Sequence, residues 1–290
     1  MPKAFDSLIP YSYRRTPSGL SCIFVHGQPG SVADLAPLAR RLPNWISSYG
    51  YDRPGWGVSA LSPTGIFSNA EFLNQAAKGI DGAKMLIGHS YGGAVALAAS
   101  ALDPSEYIGT LLLAPAASVG SLGVVDSVLA SVGIGQALSS VLIRAAQVVW
   151  SGYRSWGGTA TKSFWAEQVR MKTELGELER HLAAVRLPVS IIHGDSDRIV
   201  PLASSHILHS LIPHSRFVVV KGAGHLVAGQ FLGTAALEAT HLAATCRDQT
   251  RSGPRVLTSG RGGSDVHHEE SRPDTVGPSG LNTEIIIRFK

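Results

Sequence analysis

Six residues, Gly88-His89-Ser90-Tyr91-Gly92-Gly93, carry the sharpest chemical signal in the chain. They follow a short apolar run, Lys84 to Ile87, and open an Ala-rich segment of helical character. A serine in a G-x-S-x-G turn between strand and helix sits on a tight, strained corner that exposes its hydroxyl, and flanking glycines let the backbone pack closely around it. A hydroxyl is a weak nucleophile, so it needs a base, and the base needs an orienting acid. In this arrangement the chain order is Ser, then Asp or Glu, then His.

The chain has 11 histidines, so context must choose among them. His225, in Lys221-Gly222-Ala223-Gly224-His225, lies on a loop after the last clear β-rich run of the body. His206, His209 and His214 fall in or beside a helical segment, His241 on the last helix, and His267 and His268 near the C-terminus. For the acid, Gly194-Asp195-Ser196-Asp197 offers two candidates. Asp195 abuts the strand end and reads as a turn former. Asp197 lies farther out, where it can reach a histidine. Any of these residues alone could be a turn former or a packing residue. Ser90, Asp197 and His225, in order on three strand-end loops, read better as nucleophile, orienting acid and base. An oxyanion also needs preorganised N–H donors. Tyr91, after the nucleophile, is one. Gln28 in His26-Gly27-Gln28-Pro29-Gly30 is the other, since Pro29 has no N–H. His26 reads as a structural residue at a strand end.

These loops need a scaffold, and the body supplies one by alternating β-rich runs with helical patterns, the signature of an α/β fold with a mainly parallel sheet. Strands are expected at Leu20–Val25, Ile46–Tyr51, Lys84–Ile87, Gly109–Leu113, Val189–His193 and Arg216–Val220. Several lack polar alternation, as strands covered on both faces do. Helices are expected at Val32–Arg41, Ser68–Lys78, Tyr91–Ala101, Leu202–Leu211 and Leu226–Thr245. The interval between Pro115 and Pro188 is too long for one crossover and reads as a helical insertion. The expected organisation is a core over 1–115, a helical cap over 116–187, a second core part over 188–246, and a low-complexity tail over 247–290 taken as disordered. Within the cap, Trp150, Trp156, Phe164 and Trp165 either line a substrate pocket or pack the cap onto the body.

Composition sets the outer limits. Of 290 residues, 44% are hydrophobic and 16% charged, which excludes a chain disordered throughout. The 44 residues from Arg247 hold 13 charges, against 33 in the preceding 246, so the tail differs in character. The net charge of +4 is spread without a dense basic block, which argues against a nucleic-acid partner. Two cysteines, Cys22 and Cys246, exclude a disulfide scaffold. Met1 to Arg15 shows no apolar signal segment, so the cytoplasm is the expected location. Ser127 to Ile143, 17 residues without charge, stands at the lower edge of a membrane span and reads better as an apolar cap helix.

With Tyr51-Asp52-Arg53-Pro54-Gly55-Trp56-Gly57-Val58-Ser59 added, four motifs in order over about Leu20 to Thr245 resemble the α/β-hydrolase superfamily, in its capped, serine-nucleophile group of esterases, proline iminopeptidases and haloperoxidase-like relatives. The resemblance implies that Asp52 and Arg53 brace the nucleophile region. It implies a serine hydrolase that cleaves a carboxylic ester or related carbonyl substrate through an acyl-enzyme, without cofactor or metal. The substrate is expected to be a small to medium, hydrophobic molecule. A C–C bond hydrolase or an iminopeptidase-like amidase would use the same three residues, and a ligand-binding protein of the same fold would not turn over. Ser90 argues against the relatives with an aspartate nucleophile. Gln28 replaces the middle glycine that the iminopeptidases favour. Glu167, Glu174, Glu177 and Glu179 fall on a charged helical stretch that reads as a solvated face. The family commonly starts with more antiparallel strands than the roughly 20 residues before His26 can hold.

Overall fold

The computed structural model describes residues 11–17, 19–123, 126, 129, 134–149, 159–252 and 284–287. Eight strands form one sheet: β1 (Tyr11–Arg14), β2 (Leu20–Val25), β3 (Ser47–Gly50), β4 (Ala83–His89), β5 (Gly109–Leu113), β6 (Val189–Gly194), β7 (Arg216–Val220) and β8 (Glu284–Ile287). Their order is β1-β3-β2-β4-β5-β6-β7-β8. Only β1 runs antiparallel, against β3. The helices are α1 (Ala36–Arg41), α2 (Ile66–Ala77), α3 (Tyr91–Leu102), α4 (Ile134–Val149), α5 (Ala160–His181), α6 (Leu202–Leu211) and α7 (Gly229–Ser252).

Side chains alternate across a strand, so each β-rich run feeds two cores. In β2, Ile23 and Val25 enter one core while Leu20, Cys22 and Phe24 enter the other. In β7, Phe217 and Val219 separate from Val218 and Val220 in the same way. The first core packs under α2, α3 and α5, and the second under α1 and α7. This two-sided burial is why β2, β5 and β6 are buried at every position and show no polar alternation. Helix α3 lies against the middle of the sheet and is buried from Tyr91 to Ser100, as an Ala-rich helix apolar on all sides must be.

The expected helix at 32–41 is two pieces, a 3-10 turn at Val32–Leu35 and then α1. Pro37 in the first turn of α1 has no N–H to close a bond to the preceding turn. Between β5 and β6 the described residues hold α4, α5 and short 3-10 turns but no strand. Trp150 and Trp156 lie outside the described residues. No helix among the described residues is long and apolar enough to cross a membrane.

The expected tail at 247–290 needs correction at both ends. Helix α7 continues to Ser252, and Glu284–Ile287 joins the sheet as a parallel edge strand on β7. Ile285 and Ile287 pack against the second core. Three consecutive isoleucines have the β preference to complete a sheet edge, although four residues are too few to read as a strand without the partner. The remaining tail positions, 253–283 and 288–290, lie outside the described residues.

The chain leaves β2 for β3 on one side and returns to β4 on the other, then proceeds through β5, β6 and β7. The C-terminal ends of β2 and β4 therefore flank a topological switch point, where open α/β sheets form their crevices.

Candidate active site

Ser90 has φ 54° and ψ −123°, in a region that non-glycine residues rarely adopt. Both ends of this corner are pinned. The Ser90 N–H donates to Leu113 O at 3.0 Å, and Ser90 O accepts from Gly93 N at 2.9 Å and Ala116 N at 3.1 Å. The glycines around it are needed for space. A Cβ on Gly88 would strike the Gly92 carbonyl, and one on Gly92 would strike the Val25 carbonyl at the end of β2. A Cβ on Gly27 would stand 3.0 Å from Ser90 Cβ and 3.3 Å from the His89 carbonyl, so the loop after β2 passes tightly over the serine.

Asp197 and His225 meet directly. His225 Nδ1 lies 2.7 Å from Asp197 Oδ2. Asp197 Oδ1 accepts from Ile199 N at 2.8 Å and Val200 N at 2.9 Å, and Oδ2 has a second neighbour, His193 Nε2, at 3.1 Å. Burial by itself raises the pKa of this carboxyl, but hydrogen bonds from His193 and His225 outweigh it and hold the group below the usual carboxylate range. An imidazole whose Nδ1–H is given to a carboxylate keeps Nε2 as an acceptor. Ser90 and His225 line the same cavity. Among the described residues no hydrogen bond joins their side chains, and such bonds are often long in unliganded sites. Asp195 plays the other part expected of it. Its carboxylate accepts from Gly222 N at 2.7 Å and pairs with Lys221 at 3.0 Å, tying the acid loop to the histidine loop.

His89, the last residue of β4 and next to Ser90, packs on His225 with ring centroids 4.9 Å apart, and its Nε2 lies 3.0 Å from His225 O. Burial, then the neighbouring His225, lowers its pKa to about 3. It is therefore neutral, and Nε2–H is the donor to that carbonyl. His26 is held structurally, as expected. Its Nε2 accepts from Arg53 N at 3.0 Å, and burial and then the Arg53 charge push its pKa well below the ordinary value.

The loop after β2 is aimed by a buried arginine. Arg53 Nη2 donates to Gly27 O at 2.9 Å and Arg53 Nε to His26 O at 2.9 Å, while His26 Nδ1 adds a bond to Gly27 O at 2.8 Å. The Gly27 carbonyl and the Gln28 N–H belong to one planar trans unit, so they point in opposite directions. Holding the carbonyl on Arg53 turns the Gln28 N–H away from it. Neither this N–H nor that of Tyr91, at the first position of α3, has a hydrogen-bond partner among the described residues.

Arg53 is itself neutralised by Glu167 of α5, which also accepts from Trp56 Nε1 at 3.0 Å. This overturns the solvated reading for three of the four cap glutamates. Glu167 is fully buried, Glu174 accepts from Ile66 N at 2.6 Å at the start of α2, and Glu179 accepts from Val119 N at 2.7 Å. The helix reads as charged in sequence because these three acids have partners about 60 to 114 positions away. Asp52 is a turn acid, accepting from Val32 N at 2.8 Å and Val58 N at 2.9 Å.

The cavity holds about 270 Å³. Ser90, His89, His225, Gln28 and Asp34 form its polar part, and Leu35, Leu142, Ile143, Phe164, Ile199, Leu226 and Val227 its apolar part. Of the four aromatic residues expected there, Phe164 lines it. Trp165 does not, and lies half-buried on the same helix. Half of the apolar lining that sequence reading missed lies close to the named residues: Leu226 and Val227 follow His225, and Ile199 stands two positions after Asp197. Among the described residues no group of three or more His, Cys, Asp or Glu is placed to hold a metal ion.

No curated protein matches the chain at a significant level. Among solved structures it is similar to a monoacylglycerol lipase from Paleococcus ferrophilus, at 17% identity over 80% of this chain and 96% of that one, with a TM-score of 0.62. It is similar to an esterase from Thermogutta terrifontis, at 20% identity over 81% and 90%, with a TM-score of 0.58. It is also similar to an enol-lactonase from Burkholderia xenovorans, at 16% identity over 78% and 92%, with a TM-score of 0.61. At these identities the likeness speaks for the fold. The model of the alpha/beta hydrolase family matches residues 22–236, most of the chain and every loop described above. The chain belongs to the alpha/beta hydrolase family.

Proposed function

We propose that the protein is a serine hydrolase acting on a carboxylic ester, or a closely related carbonyl compound, through Ser90, His225 and Asp197. The observation that carries this reading is the 2.7 Å contact between His225 Nδ1 and Asp197 Oδ2, on a histidine that shares one cavity with a serine at positive φ. That contact leaves His225 Nε2 as the acceptor a general base requires.

In this scheme Ser90 Oγ attacks the substrate carbonyl carbon and His225 Nε2 takes the hydroxyl proton. Asp197 holds the imidazole and stabilises its charge. The Gln28 and Tyr91 N–H groups receive the oxyanion, the first pre-aimed because Arg53 fixes the Gly27 carbonyl. His225 gives its proton to the leaving alcohol and the acyl group stays on Ser90. Water then attacks the acyl-enzyme, with His225 again the base. Residues 116–187 act as a cap, contributing Leu142, Ile143 and Phe164 to the wall. That apolar lining and a volume of about 270 Å³ favour a small to medium, hydrophobic substrate. The solved relatives described as esterase, lipase and lactonase agree with an ester or lactone.

Ser90→Ala removes the nucleophile and leaves a residue of similar size. Turnover of p-nitrophenyl esters is expected to fall at least about a thousandfold, with an unchanged circular dichroism spectrum. A folded Ser90→Ala variant that still turns over the ester at the wild-type rate overturns the reading.

A further inference from the structure

Asp197 has a second imidazole partner to which the hydrolytic scheme assigns no task. His193 stands near the end of β6, fully buried, and does not line the cavity. Its Nε2 lies 3.1 Å from Asp197 Oδ2 and 3.0 Å from Val200 O, and its Nδ1 lies 2.7 Å from Ser205 Oγ on α6. Both neighbours of Nε2 are acceptors, so Nε2 carries the proton. Nδ1, on the other edge of the ring, is held by the Ser205 hydroxyl.

With His193 in place, every acceptor direction of the carboxylate is used. Oδ1 holds two main-chain N–H groups, and Oδ2 holds two imidazoles, one from β6 and one from the histidine loop. A carboxylate offers about four such directions. The two Oδ2 partners differ in setting. His225 sits on a loop, whereas His193 is built into a strand buried at every position and is backed by a helix. His89 also interacts with this cluster, its neighbours including His225, Asp197 and His193.

We propose that His193 is a positioning residue of the reaction. Anchored by Ser205, it fixes Asp197 Oδ2 so that the carboxylate cannot pivot and His225 keeps its Nδ1–H on the acid and its Nε2 free for Ser90. The proposal rests on the Ser-His-Asp reading above. Because His193 touches no substrate, its loss acts on turnover and not on binding.

His193→Phe fills the space without a donor, His193→Gln returns an N–H toward Oδ2, and Ser205→Ala removes only the anchoring hydroxyl. The measurements are kcat and KM for a p-nitrophenyl ester, with the rate at which a fluorophosphonate labels Ser90. His193→Phe is expected to lower kcat about tenfold or more, part of the roughly 10²–10⁴ a positioned base contributes, and to slow labelling, with KM near wild type. His193→Gln should recover most of that loss, and Ser205→Ala should fall between. Wild-type kcat in folded His193→Phe, a loss confined to KM, or glutamine no better than phenylalanine overturns the role. If His193→Phe does not fold, Ser205→Ala decides, and wild-type kcat there overturns it too. Ser90→Ala run alongside separates the two levels. Turnover surviving in it sinks the Ser-His-Asp reading, whereas its loss with wild-type kcat in the His193 variants sinks only the positioning role.

Discussion

His89 and His26 are neutral passengers of the folded chain with a thermodynamic consequence. Burial, aided by His225, lowers His89 to about 3, and burial with Arg53 moves His26 the same way. In the unfolded chain both take up protons near the ordinary value of about 6.5. Below that pH the unfolded state binds more protons than the folded one, so stability is lost as pH falls from about 6.5 toward about 3. Asp34 opposes them. Its carboxyl, pushed up to about 6 chiefly by burial, binds its proton more readily when folded, so it adds stability as pH falls from about 6 toward the ordinary value near 3.9. Glu167 and Glu174, also raised chiefly by burial, act in the same direction as Asp34, so the histidine effect is read by difference. The denaturant midpoint of His89→Gln should gain on that of the wild type as pH falls from 7 to 5. A difference between the two that stays constant across this window contradicts the account.

At the scale of elements, one buried ion pair joins helix α5 to the loop that aims the Gln28 N–H. Arg53 bonds the His26 and Gly27 carbonyls on one side and Glu167 on the other. Removing one partner of such a pair leaves a charge stranded in the interior, at a cost of about 3–5 kcal/mol. Glu167→Ala should lose stability on that order in denaturant titrations, and Glu167→Gln less, because an amide oxygen still accepts from Arg53. A Glu167→Ala midpoint equal to wild type would show that the pair does not hold the elements together. Of this layer, sequence reading sees the strands well. Leu20–Val25, Gly109–Leu113 and Arg216–Val220 are apolar runs closed by Gly, Pro or a polar turn, and two-sided burial makes them so. It also singles out Ser90, Asp197 and His225 by their motifs, and the fold brings Asp197 onto His225 and His225 into the cavity that Ser90 lines. It misses Glu167, whose pairing with Arg53 spans 114 positions and exists only once α5 lies over the site. His193 is missed for a similar reason: inside the apolar run Val189–Gly194 it looks like a strand residue, and only the fold of the loop brings Asp197 back to it.

For the whole molecule, the sheet grows outward from the switch point at β2 and β4, and its far edge is closed by β8. That strand covers β7, and Ile287 O accepts from Lys221 N at 3.1 Å, at the root of the loop that carries His225. The interior strand beneath it reads Phe217-Val218-Val219-Val220, with high β preference and no charge after Arg216. Its backbone groups would be left open if the chain stopped at Ser252. An uncovered edge of that composition is a template for pairing with other chains. A chain truncated after residue 252 should therefore self-associate as its concentration rises, visible as a concentration-dependent sedimentation coefficient, while the full chain does not. Equal sedimentation of the two would remove the role. The last short strand is then a guard on solubility: a few isoleucines occupy the position that a second molecule would otherwise take.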